Sequence, residues 1–274
     1  MFKNVSKQSP VICWWSGGAA SALACWYCIL WFGLDKVRIV FIDTKNEDPD
    51  TYRFKKDCEL WYGKNIETIF SKEYENIEEV WDFYSSLNNA TGAICSAELK
   101  RKVRILFQNK NAFSHQAFGY EIEEINRAAD LKNNHPDSRP IFPLIYMFVK
   151  KKDCLKMLLR CMIQPPDSYK HGFLNNNCLL TGCVQGGIGY WKLYQVVFPE
   201  RFDKMAEREH HYTDIKGYPV TICKDQSKGG GLVFLKHNPK YPHIKDISMM
   251  KGIKPEPLME CNGFCTYNKE IKAQ

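Results

Sequence analysis

Residues 11–28, VICWWSGGAASALACWYC, constrain the fold more than any other stretch. A short apolar run meets Ser16-Gly17-Gly18, and Ser21 then opens a long apolar helix. Two adjacent glycines let the backbone come close to an anion. The amides in the first turn of the helix that follows have no intrahelical partners and carry the positive end of its dipole, so the turn reads as a phosphate grip. Ser16 and Ser21 add hydroxyl donors. An ordinary strand-to-helix turn would look the same locally, so the context decides. A second strand, VRIVFID (37–43), follows after a helix length and ends in Asp43-Thr44 and the acidic loop KNEDPD. Such a strand–helix–strand unit makes a right-handed crossover between parallel strands. The crossover places the Ser-Gly-Gly turn and Asp43 at the carboxyl edge of one sheet, where open α/β folds bind ligands. The spacing is neither that of a Walker A loop nor that of a GxGxxG dinucleotide turn. The expected class is α/β, with a parallel sheet flanked by helices.

The alternation continues down the chain. TYRFKKDCELWYG reads as a helix, NIETIFS as a third strand, IEEVWDFYSS and AELKRKVRILFQN as helices, SHQAFGY as a fourth strand and EIEEINRAADLKN as a helix. HPDSRP breaks the pattern near residues 135 to 140, before a short apolar strand and the helix KKDCLKMLLRCM. From QPPDSY onward the chain is rich in Gly, Pro, Asn and Cys. The exception is the helical stretch YWKLYQVVFPERFDKMAEREH, which Pro199 should break or kink. This predicts an α/β nucleotide-binding domain over residues 1–135 and, packed on it, an irregular cysteine-containing region over 136–274 that serves substrate or metal binding. At 274 residues the chain can bury a sizeable core.

Lys and Arg total 38 against 31 Asp and Glu, a formal charge of +7 that suits an anionic ligand without demanding nucleic acid. The apolar run AASALACWYCILWFGL has 16 positions, too few for a comfortable membrane span. MFKNVSKQSP has no signal-peptide core. The expectation is a cytoplasmic protein with no membrane contact. In a reducing compartment its 12 cysteines are packing residues, metal ligands or redox groups, not a disulfide frame.

Two short-spaced cysteine pairs stand out. Cys178 and Cys183 flank LLTG, and Cys261 and Cys265 flank NGF. Thiolates in Gly and Asn turns converge on tetrahedral zinc or an iron–sulfur cluster, although structural thiols or a redox pair would give the same spacing. Cys95 precedes Lys100, Arg101 and Arg104 on a predicted helix, where four-residue spacing puts Lys100 and Arg104 on one face. The alternatives are a solvated basic face and contact with an anionic ligand. His210-His211 are read as a helix-end charge feature, the Gly229–Gly231 run as a surface loop in preference to a lid, Gly186-Gly187 as a turn before a helix that could bind a second anion, and the tryptophans mainly as core.

SGGAAS resembles the pyrophosphate loop of the PP-loop superfamily, usually SGGxDS, which includes ATP pyrophosphatases, tRNA sulfurtransferases and PAPS reductases. FIDTKNEDPDTYRF, CSAELKRKV, FGYEIEEINRA and RPIFPLI are similar to successive segments of the PAPS reductase branch. The whole-chain likeness, including NNNCLLTGCVQGGIGYW, is to phage-encoded PAPS reductase-like proteins and covers about residues 10 to 265. In that setting the cytoplasm would be the host's. Two positions depart from the pattern: Ala20 replaces the loop's usual Asp, and Ser96 replaces the second cysteine of the reductase pair.

The resemblance implies a Rossmann-like (HUP/PP-loop) sheet with Ser16, Gly17, Gly18 and Ser21 on the phosphate and Asp43 and Thr44 near the adenosine. It places Lys100 and Arg101 at the anion site. Two chemistries follow. In the first, ATP, usually with Mg²⁺, is cleaved between the α and β phosphates to adenylate an acceptor, with sulfur transfer as the implied purpose. In the second, a thiolate of Cys95 or Cys261 takes the sulfonyl group of PAPS or APS, and a thiol reductant protein completes the reduction. Cys261 lies in Glu-Cys-Asn-Gly, similar to the reductases' Glu-Cys-Gly, so a nucleophile role competes with its ligand role. A third reading is a catalytically inactive nucleotide sensor or sponge. The implied partners are an adenine nucleotide, an acceptor that is a small molecule or a nucleic acid, and a second copy in a homo-oligomer.

Overall fold

The computed structural model describes residues 4–89, 92–176, 178–256 and 258. Its centre is a parallel sheet of five strands. These are β1 (Val11–Trp14), β2 (Val37–Ile42), β3 (Glu67–Ile69), β4 (His115–Ala117) and β5 (Pro140–Ile141), in the order β3-β2-β1-β4-β5. The chain steps outward from β1 to β3 and then returns to the other flank of β1 for β4 and β5. The strand order therefore reverses between β1 and β4.

Side-chain alternation along the strands sorts residues onto two faces. Val11, Cys13, Ile39 and Phe41 pack on one face against α1 (Ala19–Phe32), α2 (Pro49–Tyr62) and α7 (Lys151–Arg160). Ile12, Trp14, Val40 and Ile42 pack on the other with Val103 of α4 (Lys102–Lys110) and Ala128 and Leu131 of α5 (Ile125–Asn134). Local chemistry sets the helix limits. Asp48 caps α2 by accepting the Asp50 amide, Pro49 occupies its first turn, and Gly63 ends it in the left-handed region.

A second core lies beside the first. It joins α3 (Ile77–Tyr84), the short hairpin Asn88–Asn89/Gly92–Ala93 and the turn after Cys95 to α8 (Ile188–Val197) and α9 (Pro199–Lys216). A small sheet completes it: β6 (Cys223–Lys224) runs antiparallel and β8 (Lys245–Asp246) parallel to β7 (Leu232–Phe234). The one-turn helix α6 (Pro143–Tyr146) follows β5. Pro199 does break the long helical stretch: α8 stops, Phe198 is the joint, and Pro199 begins α9.

The boundary expected at 135/136 falls between α5 and β5, yet β5 extends the same sheet and α7 covers it. The second core in turn draws α3 from the first half of the chain. Among the described residues, no helix is long and apolar enough to cross a membrane.

Candidate functional site

The Ser-Gly-Gly turn leaves β1 at the carboxyl edge of the sheet and enters α1. Gly17 has φ +85°, a conformation natural to glycine, and a Cβ there would lie 2.8 Å from Thr51 Cγ2. Ser21 is buried and closes the turn. Its Oγ accepts from the Ser16 amide and hydroxyl, each at 3.0 Å, and donates to the Gly18 carbonyl at 2.9 Å. Its single proton is thus spent inside the turn. In this arrangement Ser21 shapes the loop.

Three residues distant in sequence buttress this turn. The Asn176 amide group donates to the Gly17 carbonyl at 3.0 Å and to Thr51 Oγ1 at 2.9 Å, and Ser168 donates to Asn176 Oδ1 at 2.9 Å. The Ala19 amide donates to the Tyr169 hydroxyl at 3.1 Å. Among the described residues, the amides of Gly17, Gly18 and Ala20 meet no hydrogen-bond acceptor, although all three residues are buried. Buried backbone donors are nearly always paired, so unpaired amides at a helix start are what an anion-binding cradle supplies.

Beside the turn, the end of β2 carries Asp43 and Thr44. Asp43 accepts from the Tyr52 hydroxyl at 3.0 and 3.1 Å and from the Lys45 amide at 2.7 Å. Burial and the Asp43 carboxylate both raise the Tyr52 phenol above its ordinary range, which keeps it a proton donor. Thr44 faces inward. Its Oγ1 lies 3.2 Å from Glu47 Oε1 and 3.5 Å from Cys178 Sγ, and Cys178 Sγ lies 3.8 Å from the same Glu47 oxygen. Lys100 Nζ approaches that oxygen to 3.8 Å.

Thr44, Lys100 and Cys178, all singled out by sequence, therefore converge on Glu47, which was not. Glu47 is 3% exposed, and Lys100 is 7% exposed. Burial raises the Glu47 carboxyl above its usual range and the Asp43 charge adds to this, while Lys100, Thr44 and Cys178 oppose it. Only the acidic loop marked Glu47 in the sequence, and Asn176 was hidden within the run NNN.

The basic segment differs from expectation in form. Ser96–Arg101 is a π-helical turn leading into α4, with Cys95 half-buried at its start. Lys100 and Arg104 are both inside the protein and not on a solvated face. Burial, opposed by Tyr120 and aided by Arg101, lowers the Arg104 guanidinium to about 9. Arg101 is half-buried on the same turn.

Of the proposed metal ligands, Cys178 is buried against Thr44 and Glu47. Cys183 is half-buried, with its amide donating to the Tyr190 hydroxyl. Cys261 and Cys265 lie outside the described residues. Among the described residues, no group of three or more His, Cys, Asp or Glu side chains is arranged to hold a metal ion. The two described thiols therefore do not by themselves make a zinc or cluster site. No protein-family model matches the chain, and no curated protein matches its sequence.

Proposed function

We propose that the chain binds an adenine nucleotide at the Ser-Gly-Gly turn and cleaves ATP between the α and β phosphates to adenylate an acceptor, in the service of sulfur transfer. The observation that carries this reading is the buried turn whose Gly17, Gly18 and Ala20 amides meet no acceptor among the described residues at the start of α1. An acceptor oxygen attacks the α-phosphorus, the bond to the bridging oxygen breaks, and pyrophosphate leaves with the electron pair. The three amides and the positive end of the α1 dipole stabilise the charge that develops on it. Were Mg²⁺ bound with the nucleotide, it would supply positive charge at the phosphates, and the Asp43 and Glu47 carboxylates beside the turn would be the oxygen groups to hold it. Asp43 and Thr44 lie on the adenosine side, and Lys100 and Arg101 bring positive charge.

A second reading is favoured by one observation: Cys95 opens the same π-helical turn that carries Lys100 and Arg101. In it the turn holds the anionic end of PAPS or APS. The Cys95 thiolate, or that of Cys261, takes the sulfonyl group, the nucleotide leaves, and an external thiol then releases sulfite.

Incubation of anaerobically purified protein with labelled ATP or PAPS separates these readings. Release of AMP and pyrophosphate supports ATP cleavage, sulfite supports the reductase, and unchanged bound nucleotide supports a sensor or sponge. Absence of any heat on titration with adenine nucleotides would remove all three. Iron, sulfide and zinc analysis of the same preparation decides whether Cys178, Cys183, Cys261 and Cys265 hold a cluster, zinc or no metal.

A further inference from the structure

The phosphate turn has a second neighbour, on the side away from β2. A cavity of about 580 Å³ lies between the start of α1, the segment after β4 and the loop around residues 169–175, a volume that suits a small organic molecule. It sits where the strand order reverses between β1 and β4, the crevice in which open α/β sheets receive ligands. Leu155, Phe173, Leu174 and Leu258 give it apolar walls.

On the same wall, Asn175 holds a polar group that the protein leaves unused. The residue is 5% exposed. Its Oδ1 accepts from Lys151 Nζ at 3.2 Å and from the Leu258 amide at 2.9 Å. Two donors on that atom fix which end of the side-chain amide is oxygen, so the other end carries the N–H groups. Nδ2 donates to no acceptor among the described residues. Buried amide donors are nearly always paired, so one left over on a cavity wall is matched by what the cavity takes up. The Lys151 charge on Oδ1 polarises the amide and makes its N–H groups better donors.

The charges around Asn175 are already matched. Glu121 and Glu124 share a hydrogen bond and so hold one proton between them, and Arg127 pairs with Glu124. Lys151 has Glu123 beside it, accepting its amide, and Lys152 is exposed to solvent that screens it. A buried ion needs an unspent opposite charge, whereas a neutral carbonyl needs only a donor.

We propose that this cavity is a ligand site separate from the nucleotide's, and that it takes a neutral molecule with an apolar body and a carbonyl oxygen that accepts from Asn175 Nδ2. Lys151 and Asn175 set the polarity of the site, and Leu155, Phe173 and Leu174 hold the body. This chemistry stands apart from the nucleotide reading above.

The test is titration calorimetry on the full chain with phenylacetamide, phenylacetate and phenethylamine, which are similar in size and differ in charge. Phenylacetamide is expected to bind at least tenfold more tightly than either ion. Asn175→Asp keeps the oxygen that receives Lys151 and the Leu258 amide and turns the N–H end into an acceptor. It should weaken phenylacetamide at least tenfold and bring phenethylamine level with it or above it. Leu174→Trp keeps Asn175, fills the cavity from a partly exposed position, and should abolish phenylacetamide binding. Neither variant should change the affinity for α,β-methylene-ATP. Absence of heat with phenylacetamide, equal binding of the three compounds, an Asn175→Asp protein that still prefers phenylacetamide, or binding that survives Leu174→Trp would each overturn the proposal. A parallel loss of α,β-methylene-ATP in Leu174→Trp would do so too, because it would place the nucleotide's own base in the cavity. If α,β-methylene-ATP gives no heat with the wild-type protein, the nucleotide reading fails, and the phenylacetamide titrations still decide the cavity's chemistry.

Discussion

Gly17 concentrates the demands of the site in one residue. Its φ of +85° and its approach to Thr51 mean that any side chain both strains the backbone and crowds the Thr51 side chain in the first turn of α2. Gly17→Ala should cost about 1–3 kcal/mol. It should also weaken ATP binding at least tenfold, checked by thermal unfolding and calorimetry on the same sample; wild-type affinity in that variant would show that the turn is not the cradle. The Lys100–Glu47 pair makes a different demand, because removing one member leaves the other's charge buried. Lys100→Met strands Glu47 beside Asp43 and should destabilise the fold by about 3 kcal/mol, most of it restored in the double variant with Glu47→Gln. Chemical denaturation of the two proteins measures both numbers. Gly17, Lys100, Thr44 and Cys178 were legible from sequence because each belonged to a short motif. Glu47 and Asn176 were not, since they matter through partners such as Lys100 and Gly17 that lie far along the chain, and no spacing rule reaches that distance.

At the scale of elements, local signals served where they were complete. Short apolar runs marked β1 and β2, and Gly63 marked the end of α2. The strands expected in SHQAFGY and after HPDSRP are present as β4 and β5, each far shorter than its apolar segment, whereas the π-helical turn at Ser96–Arg101 has no pattern distinct from that of an α-helix. Gly119, just after β4, shows what holds the start of α1 in place. A Cβ there would sit 2.6 Å from the Ser21 backbone, which cannot yield as a side chain would. Gly119→Ala should therefore cost about 1–3 kcal/mol and loosen nucleotide binding together with the fold, seen as a lowered melting temperature that added ATP corrects only in part. Helix α9 docks the small sheet through Glu209, which is 0% exposed and accepts the Ile222 amide at 2.8 Å and the Leu235 amide at 2.7 Å. Burial pushes this carboxyl up to about 8, against the pull of those two amides. A carboxyl whose folded pKa exceeds its unfolded value stabilises the fold in its protonated form. Its contribution is complete below the unfolded pKa near 4.5 and is lost as pH rises toward 8. Urea unfolding between pH 5 and 8 should show stability falling by up to about 1.4 kcal/mol per pH unit from this group, and Glu209→Gln should flatten that slope.

For the whole molecule, the two cores do not follow the order of the chain. The sheet core needs β5 and α7 from beyond residue 135, and the second core needs α3 and Leu99 from before it. The turn itself depends on the later half, since Asn176 and Tyr169 hold Gly17 and Ala19. The composition break near residues 135 to 140 suggested a boundary because it interrupts the hydrophobic pattern. Packing crosses it because an apolar sheet face must be covered by whichever helix the chain can bring there, and α7 is that helix. A fragment of residues 1–135 would expose the face of α1 that α7 buries, lose an edge strand, and leave Gly17 without Asn176. It should unfold without a cooperative thermal transition and give no heat with ATP, whereas the full chain melts sharply. A fragment that melted sharply and bound ATP would mean that the later half only decorates a complete nucleotide domain. Loss of both properties would mean that the cradle forms only when the two halves of the chain close over the carboxyl edge of the sheet together.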